Sequence, residues 1–239
     1  MFFFDFTQSI IIMACSSLEC PFYAPPKGDG HSNEVCLVVD SVKQVRFDKG
    51  DVLFRQDQPS CGIYALTSGV VKIHSVTPDG QEQIVGFANR HSLMVGLQSL
   101  SNELYADSAV AETTVTACKI RKQALLAAVS KDAEVTFHLI GALNRQLAMS
   151  RALVRVAEHH GAAAKVAALI VLLCPDYENG RVDYPLPFSR SEIAGILGLS
   201  EETVCRQMAK MKRDGLFYAP RGRIKIQDWD KLQAVANEA

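Results

Sequence analysis

Short apolar runs separated by glycine-containing turns dominate the chain from about Val45 to Lys122. Val71 and Ile73 alternate with polar neighbours, which is the two-residue period of a strand with one buried face. The stretch Thr77-Pro78-Asp79-Gly80 then provides residues that favour the turn of a β-hairpin. Turns that recur about every ten residues predict a compact β-roll or barrel.

After Lys122 helix-forming residues take over, and apolar positions recur at three-, four- and seven-residue spacings between Ile140 and Val154. Two interpretations are open: this amphipathic helix packs on its own β domain, or it pairs with its copy in a homodimer. A helix from about Glu134 to His159 is longer than a small roll can cover, which favours the homodimer. The predicted dimerisation residues are Ile140, Leu143, Leu147, Ser150 and Val154.

A helix-turn-helix pattern occupies Ser189–Arg213. A capping-box sequence over its first four residues opens one helix, Gly198-Leu199 turns the chain, and Ser200 caps a second helix. Residues 215–226 then predict a β-hairpin wing around Pro220-Arg221-Gly222-Arg223.

Charge supports an interaction with nucleic acid in this part of the chain. The 239 residues have an ordinary globular composition, enough for one large or two modest domains, and a net charge of −1. Residues 189–225 nevertheless carry eight Lys or Arg against four Asp or Glu, a local charge of +4. Basic residues are therefore concentrated where a DNA duplex would lie. The alternative is a helix face that is merely solvated.

Glu202 and Arg206 lie four residues apart, and therefore on one face, near the start of the second predicted helix. A carboxylate accepts a hydrogen bond from cytosine N4 and a guanidinium donates to guanine N7 and O6, so the two residues predict recognition of a G·C pair and its neighbour. The competing interpretation is a surface Glu–Arg pair that only stabilises the helix. The predicted DNA-binding residues are Ser200, Glu202, Thr203, Cys205, Arg206, Lys210, Arg221 and Arg223.

Seven cysteines are too sparse for a disulfide scaffold, which indicates a reducing compartment and metal or redox roles. The first fourteen residues are apolar enough to suggest a targeting segment. However, no Lys or Arg precedes Lys27 and the apolar run is far short of a bilayer span, so we expect a cytoplasmic protein without a membrane anchor. Ile12-Met13-Ala14-Cys15 faintly resembles a lipoprotein cleavage box, and Met13 is an alternative start.

A glycine-punctuated β-roll, a long helix and a C-terminal winged helix together resemble the Crp/Fnr family of bacterial transcription regulators over about residues 40–235. The stretch Leu197–Arg206 is similar to the recognition helix of that family, where a Glu-x-x-Ser-Arg pattern marks the Fnr branch. Glu202 and Arg206 match the pattern, whereas Cys205 stands where Fnr proteins carry serine. The resemblance implies a palindromic, Fnr-like site with TTGAT half-sites, and the departure at Cys205 concerns the outer base.

The resemblance implies an α+β fold and a transcription regulator. No phosphate loop, nucleophile elbow or zinc-protease helix occurs in the sequence, so we expect no enzyme. RNA polymerase is an implied partner, with residues 77–83 as one candidate contact. The expected segments are a cysteine-bearing sensor arm at 1–40, a cyclic-nucleotide-binding-like β-roll at 41–126, a dimerisation helix at 127–160 and a winged helix-turn-helix at 161–239.

The resemblance also bears on the signal that the protein senses. Cyclic-nucleotide binders of the family hold ribose and phosphate with a Gly-Glu pair and an Arg-Ser pair, because a buried phosphodiester needs a cation. The matching positions here are Gly96-Leu97 and Asp107-Ser108. Leucine cannot accept a hydrogen bond and aspartate repels a phosphate, so we expect no binding of cyclic AMP.

In the Fnr branch, three N-terminal cysteines and one on a late roll strand bind an oxygen-labile [4Fe–4S] cluster. Cys118 matches the late-strand position, and the resemblance implies Cys15, Cys20, Cys36 and Cys118 as the ligands of such a cluster. Their spacing, Cys-x4-Cys-x15-Cys before the roll, is wider than in the family. Oxygen would dismantle the cluster and weaken DNA binding.

Other sensing chemistries remain open on the same scaffold. They are a thiol–disulfide switch, a different metal, buried structural cysteines, or a haem that binds nitric oxide. Cys61 is a candidate substitute ligand for the cluster and Cys174 is expected in a helix core. None of the six histidines has a ligand-spaced partner in the sequence, which does not favour haem.

Overall fold

The computed structural model describes residues 42–89, 94–101, 103–174, 177 and 182–237, together with the backbone of two short strands at 23–24 and 35–36. Cys15, Cys20 and the apolar first fourteen residues lie outside the described residues. The chain divides into two compact units, residues 1–82 with 87–147 and residues 83–86 with 148–239. The predicted α+β fold, a β-roll followed by a long helix and a helix-turn-helix, is confirmed.

In the described residues, ten antiparallel strands precede the α-helices. They are β1 (Tyr23–Ala24), β2 (Val35–Cys36), β3 (Val42–Phe47), β4 (Val52–Phe54), β5 (Gly62–Ser68), β6 (Val70–Val76), β7 (Glu82–Asn89), β8 (Met94–Val95), β9 (Ser108–Ala111) and β10 (Val115–Arg121). One four-stranded sheet has the order β3-β10-β5-β8 and another has the order β4-β9-β6-β7. The strands β1 and β2 form a separate pair in which the backbone of Cys36 lies opposite Tyr23.

Strand β10 contributes to both apolar clusters of the roll, because successive side chains of a strand point to opposite faces. Val115 and Ala117 belong to the cluster that includes the aromatic ring of Tyr105. Cys118 and Ile120 belong to the other cluster, which also receives side chains from the helices that follow. Burial of a large apolar side chain stabilises the fold by about 1.5–3 kcal/mol, so both faces of β10 hold the roll together.

Two helices follow the roll, α1 (Lys122–Lys131) and α2 (Ala133–Glu158). The predicted dimerisation segment 127–160 therefore contains the end of α1 as well as all of α2. The break between them falls at Asp132, whose extended backbone ends α1 and whose Oδ1 accepts a hydrogen bond from the Glu134 N–H at 2.8 Å. A carboxylate in this position satisfies an amide at the start of a helix.

One face of α2 packs on the roll through Val135 and Ala142, which are fully buried in the cluster that contains Cys118. The predicted dimerisation residues lie elsewhere on the helix and are exposed in the single chain. Their apolar members, Ile140, Leu143, Leu147 and Val154, are 46% to 55% exposed, and Ser150 is also exposed. The helix therefore does pack on its own β domain, but through a different face from the predicted stripe.

The second unit contains α3 (Ala162–Leu173), β11 (Asp183–Pro185), α4 (Arg190–Leu197), α5 (Glu201–Arg213), β12 (Phe217–Tyr218), β13 (Arg223–Ile226) and α6 (Trp229–Ala236). Helix α3 packs against α5 and α6, and α4 packs against α5. The three strands form a sheet of order β11-β13-β12, so the predicted two-stranded wing gains a third strand. None of the helices in the described residues is both long and apolar enough to cross a bilayer.

Candidate nucleic-acid interface and metal centre

Helix α4 begins with the predicted capping box. The Glu192 N–H donates to Ser189 Oγ at 3.2 Å, and the Ser189 N–H donates to Glu192 Oε2 at 2.8 Å. The helix ends at Gly198, which has a φ of 63° in the left-handed region that glycine adopts without strain. The sharp turn that follows directs the chain into α5.

Helix α5 is capped by Ser200, whose Oγ accepts a hydrogen bond from the Thr203 N–H at 3.2 Å. Val204, Met208 and Met211 are buried on one side of the helix. This burial leaves the opposite side of α5 in solvent, and the pattern follows from the 3.6-residue period of a helix. The predicted DNA-binding residues exposed here are Ser200, Glu202, Cys205, Arg206 and Lys210.

Thr203 differs from its neighbours on α5, because it is half-buried and its hydroxyl is 2.9 Å from Ser200 Oγ. Thr203 therefore stabilises the start of the helix, and it lies at the edge of the exposed face. In the part of the chain that the structure describes, no ion pair within 4 Å joins Glu202 to Arg206. In this conformation the two side chains are therefore not paired with each other.

The wing is a hairpin of β12 and β13 with Gly222 in its turn at a φ of 72°. Arg221 and Arg223, both predicted to bind DNA, are exposed at this turn. Arg223 is also engaged within the protein, since its Nε donates to Asp183 Oδ1 at 3.0 Å. The Lys212 ammonium lies 5.1 Å from the centre of the Tyr218 ring and links the end of α5 to the wing.

Sequence reasoning missed three residues that support this surface. Asp183 lies on β11, a strand that the sequence did not predict, and Tyr218 forms the cation–π contact with Lys212. Lys165 of α3 donates to the carbonyl oxygen of Leu197, at the end of α4, with an Nζ–O distance of 3.5 Å. Only the charge of Lys165 and Asp183 was visible in the sequence, because each contact joins residues more than thirty positions apart.

Cys118 lies on β10 between Ala65 of β5 and Gln44 of β3, and its side chain is 2% exposed. It belongs to the apolar cluster that Val135 and Ala142 of α2 complete. Among the described residues, no group of three or more His, Cys, Asp or Glu side chains is placed to hold a metal ion. A metal centre with three or more such ligands that includes Cys118 therefore needs side chains outside this part of the chain, where the predicted ligands Cys15 and Cys20 lie.

The thiol of Cys61 is placed differently. It lies 3.5 Å from the Tyr105 hydroxyl and near the ammonium of Lys119. Burial alone raises the pKa of this thiol, but hydrogen bonds from Tyr105 and the charge of Lys119 outweigh burial, so its pKa lies below the ordinary value. Burial, together with the contact to Cys61, raises the pKa of the Tyr105 hydroxyl.

Cys61 and Cys118 are consequently associated with opposite faces of β10. Lys119, which interacts with Cys61, follows Cys118 directly in the strand, and consecutive side chains of a strand point in opposite directions. This alternation disfavours Cys61 as a ligand that shares a metal with Cys118.

The positions that match a cyclic-nucleotide pocket are occupied by internal contacts. Leu97 is buried, and the Asp107 carboxylate accepts a hydrogen bond from Gln98 Nε2 at 2.7 Å. Ser108 Oγ accepts from the Gln56 N–H at 3.0 Å. The carboxylate of Asp107 thus stands where a phosphodiester would need a cation.

Comparison with known proteins identifies the scaffold. Residues 44–132 match the cyclic nucleotide-binding domain, and residues 164–235 match the Crp-like helix-turn-helix domain. The chain is 30% identical to the transcriptional activator protein Anr of Pseudomonas aeruginosa, over 79% of this chain and 78% of that protein. The chain belongs to the Crp/Fnr family. Its members among the matched proteins are transcriptional regulators, and this Crp/Fnr protein is a DNA-binding regulator rather than an enzyme.

Two further relatives place this Crp/Fnr protein within the family. It is 25% identical to the fumarate and nitrate reduction regulatory protein of Salmonella typhi, over 79% of this chain and 76% of that protein. The structure of FixK2 from Bradyrhizobium japonicum superposes with a TM-score of 0.70 at 21% identity, covering 83% of this chain and 98% of FixK2. The FixK2 likeness concerns the fold alone.

Proposed function

We propose that this Crp/Fnr regulator binds promoter DNA as a homodimer, with α5 of each subunit in the major groove and the wing against the sugar–phosphate backbone. The exposed face of α5 supports the proposal, because it carries Glu202 and Arg206 close to the helix start, where side chains reach base edges first. Cys205 lies beside them on the same exposed side. Lys210, Arg221 and Arg223 supply charge for phosphates.

The target is an inverted repeat of Fnr-like TTGAT half-sites. Arg206 donates two hydrogen bonds to guanine O6 and N7, and Glu202 accepts one from cytosine N4. Each such contact contributes about 1–3 kcal/mol of discrimination between bases. Ser200 and Thr203 position the N-terminus of α5. Their hydroxyls also lie close enough to this N-terminus to contact a phosphate.

Homodimerisation uses the exposed stripe of α2. Ile140, Leu147 and Val154 are seven residues apart, and so are Leu143 and Ser150, which is the repeat of a two-stranded coiled coil. Pairing two such helices removes the apolar stripe from water. A two-fold dimer of this kind suits a palindromic site with one recognition helix for each half.

The signal is oxygen, sensed through a [4Fe–4S] cluster held by Cys15, Cys20, Cys36 and Cys118. The observation that carries this proposal is the position of Cys118, buried in the same apolar cluster as Val135 and Ala142 of the dimerisation helix. Soft thiolates in a setting shielded from water suit an iron–sulfur cluster, which would supply lability towards oxygen. The pairing of β1 with β2 also brings the backbone of Cys36 alongside Tyr23, three positions after Cys20 in the sequence.

One partner, one excluded ligand and the cellular location complete the proposal. RNA polymerase is contacted at the hairpin turn of residues 77–83, where the Thr77 N–H donates to Gln81 O at 2.9 Å and closes an exposed loop. Cyclic AMP is not a ligand, because Leu97 and Asp107 occupy the places of its acceptor and its cation. The protein acts in the cytoplasm, where its seven cysteines stay reduced.

Anaerobic purification tests the sensing chemistry. We expect a brown protein with about four irons per subunit that bleaches in air. Cys118→Ala should abolish iron uptake, whereas the matched variant Cys205→Ser, on the exposed face of α5, should keep the iron of the wild type.

Three outcomes would contradict either the proposed cluster or the role of Cys118 in it. A Soret absorption band would indicate haem, and a colourless, iron-free protein that still binds its operator would indicate a thiol switch. Iron content unchanged by Cys118→Ala would remove that residue from the site. Cys61→Ser tests whether Cys61 replaces one of the proposed ligands. We expect this variant to keep the full iron content of the wild type, because Cys61 is not among the proposed ligands.

A further inference from the structure

The wing sheet has one polar face, and strand register determines its composition. Ile224 and Ile226 of β13 are buried, so their neighbours Arg223 and Lys225 point outward. Residues directly opposite one another in antiparallel strands share a face. Asp183 of β11 and Tyr218 of β12 both lie opposite Lys225, so the two residues belong to the outward face as well.

Asp183 places a carboxylate on this face together with the basic residues Arg223 and Lys225, and it contacts one of these cations. Arg223 Nε donates to Asp183 Oδ1 at 3.0 Å, with the two side chains 51% and 47% exposed. The bond occupies the Nε edge of the guanidinium. A phosphate or carboxylate binds an arginine most strongly through two parallel N–H groups on one edge of the guanidinium. Asp183 occupies one such edge, so a DNA phosphate cannot use that pair of N–H groups.

The charge of Asp183 acts in the same direction as the geometry. Sequence-independent binding to DNA comes almost entirely from cations that neutralise phosphates. A carboxylate beside Arg223 and opposite Lys225 repels the phosphate that these cations attract.

We infer that Asp183 is a positioning residue that holds Arg223 and lowers the affinity of the wing for DNA phosphates, which leaves discrimination to α5. The inference rests on the proposed binding of DNA by α5 and the wing. It predicts that neutralising Asp183 strengthens binding to every DNA sequence by the same factor and leaves the ratio of specific to non-specific affinity unchanged.

The test uses the full-length dimer under the conditions in which it binds its operator. Asp183→Asn keeps the shape and an acceptor oxygen but removes the charge, and an exposed ion pair contributes so little to stability that the variant should fold. Fluorescence anisotropy measures binding to two duplexes, one with the TTGAT inverted repeat and one with a scrambled sequence, over a series of salt concentrations.

We expect Asp183→Asn to bind both duplexes several-fold more tightly, by the same factor. Each wing should gain one phosphate contact, so the slope of log affinity against log salt should steepen by about 2 per dimer. Asp230→Asn is the matched control, because it removes one exposed carboxylate from α6 of the same unit, and it should change neither quantity.

Arg223→Gln shows whether Asp183 acts through the arginine. Asp183→Asn should have a much smaller effect in the Arg223→Gln background, where only the direct repulsion between the carboxylate and the phosphate is removed. The inference is overturned if Asp183→Asn weakens binding, if it matches Asp230→Asn, or if its full effect survives in the double variant. A wild-type protein that does not prefer the TTGAT duplex would instead contradict the proposed function.

Discussion

Arg206 and Lys210 are four residues apart on α5, and both are exposed, yet their side chains offer different chemistry to DNA. The guanidinium is a planar fork that matches guanine N7 and O6, whereas the ammonium is a compact charge without a directional pair of donors. We therefore expect the arginine near the helix start to recognise a base, and the lysine one turn later to contact any phosphate equally well.

Arg206→Ala should lose discrimination at one guanine of each half-site, by about 1–3 kcal/mol, and bind the other sequences almost as the wild type does. Lys210→Ala should weaken binding to all sequences and reduce the magnitude of the salt slope by about 1 per subunit. Titration of both variants against operators with single base changes gives the comparison. Equal losses on every duplex from the two substitutions would contradict base recognition by Arg206.

Helix α2 carries two apolar surfaces on one element. Val135 and Ala142 face the roll and are fully buried, while the stripe from Ile140 to Val154 remains in solvent. An exposed apolar stripe of this length on a soluble protein marks an interaction surface. The heptad spacing of the stripe favours a second copy of the same helix as its partner.

Leu147→Glu should therefore prevent dimerisation, because it places a like-charged pair in the middle of the helix–helix contact. Ala148→Glu adds the same charge at the adjacent exposed position, outside the stripe, and should leave the dimer intact. Sedimentation measures the mass of both variants, and circular dichroism checks that α2 is retained. A dimeric Leu147→Glu protein would show that subunits associate through another surface.

At the scale of the whole molecule, residues 44–132 match the cyclic nucleotide-binding domain, while the positions expected to hold ribose and phosphate carry Leu97 and Asp107. Asp107 is held by Gln98, Ser108 is bonded to the backbone of Gln56, and Leu97 is buried. We therefore expect a phosphodiester at this position to meet the Asp107 carboxylate, which disfavours binding.

Cyclic AMP should therefore leave the melting temperature of the full chain unchanged, even at millimolar concentration. A ligand at a hundred times its Kd stabilises the folded state by about 2.7 kcal/mol, which corresponds to a shift of several degrees. A cyclic-AMP-binding member of the family serves as the positive control. A saturable rise in the melting temperature would contradict the exclusion of this ligand.

Local features were predictable from the sequence wherever the groups that interact are close together along the chain. The capping box of Ser189 and Glu192, the left-handed Gly198 and the cap at Ser200 each involve neighbours within about one helical turn, so residue type alone determines the geometry. The helix periodicity likewise predicted which residues of α5 are buried and which stripe of α2 is exposed.

Tertiary structure decided the contacts between distant strands, because register sets which residues meet and a shift of one residue reverses every side chain. Cys118 faces α2 and Lys119 faces Cys61 only because of how β10 pairs with its neighbours. Asp183 meets Arg223 across forty positions, on a strand too short to predict. The sequence by itself thus determined the capped helix α5 and the exposed apolar stripe of α2, because both depend on residues close together along the chain. Pairing of distant strands decided the faces of the cysteines and the partner of the wing arginine.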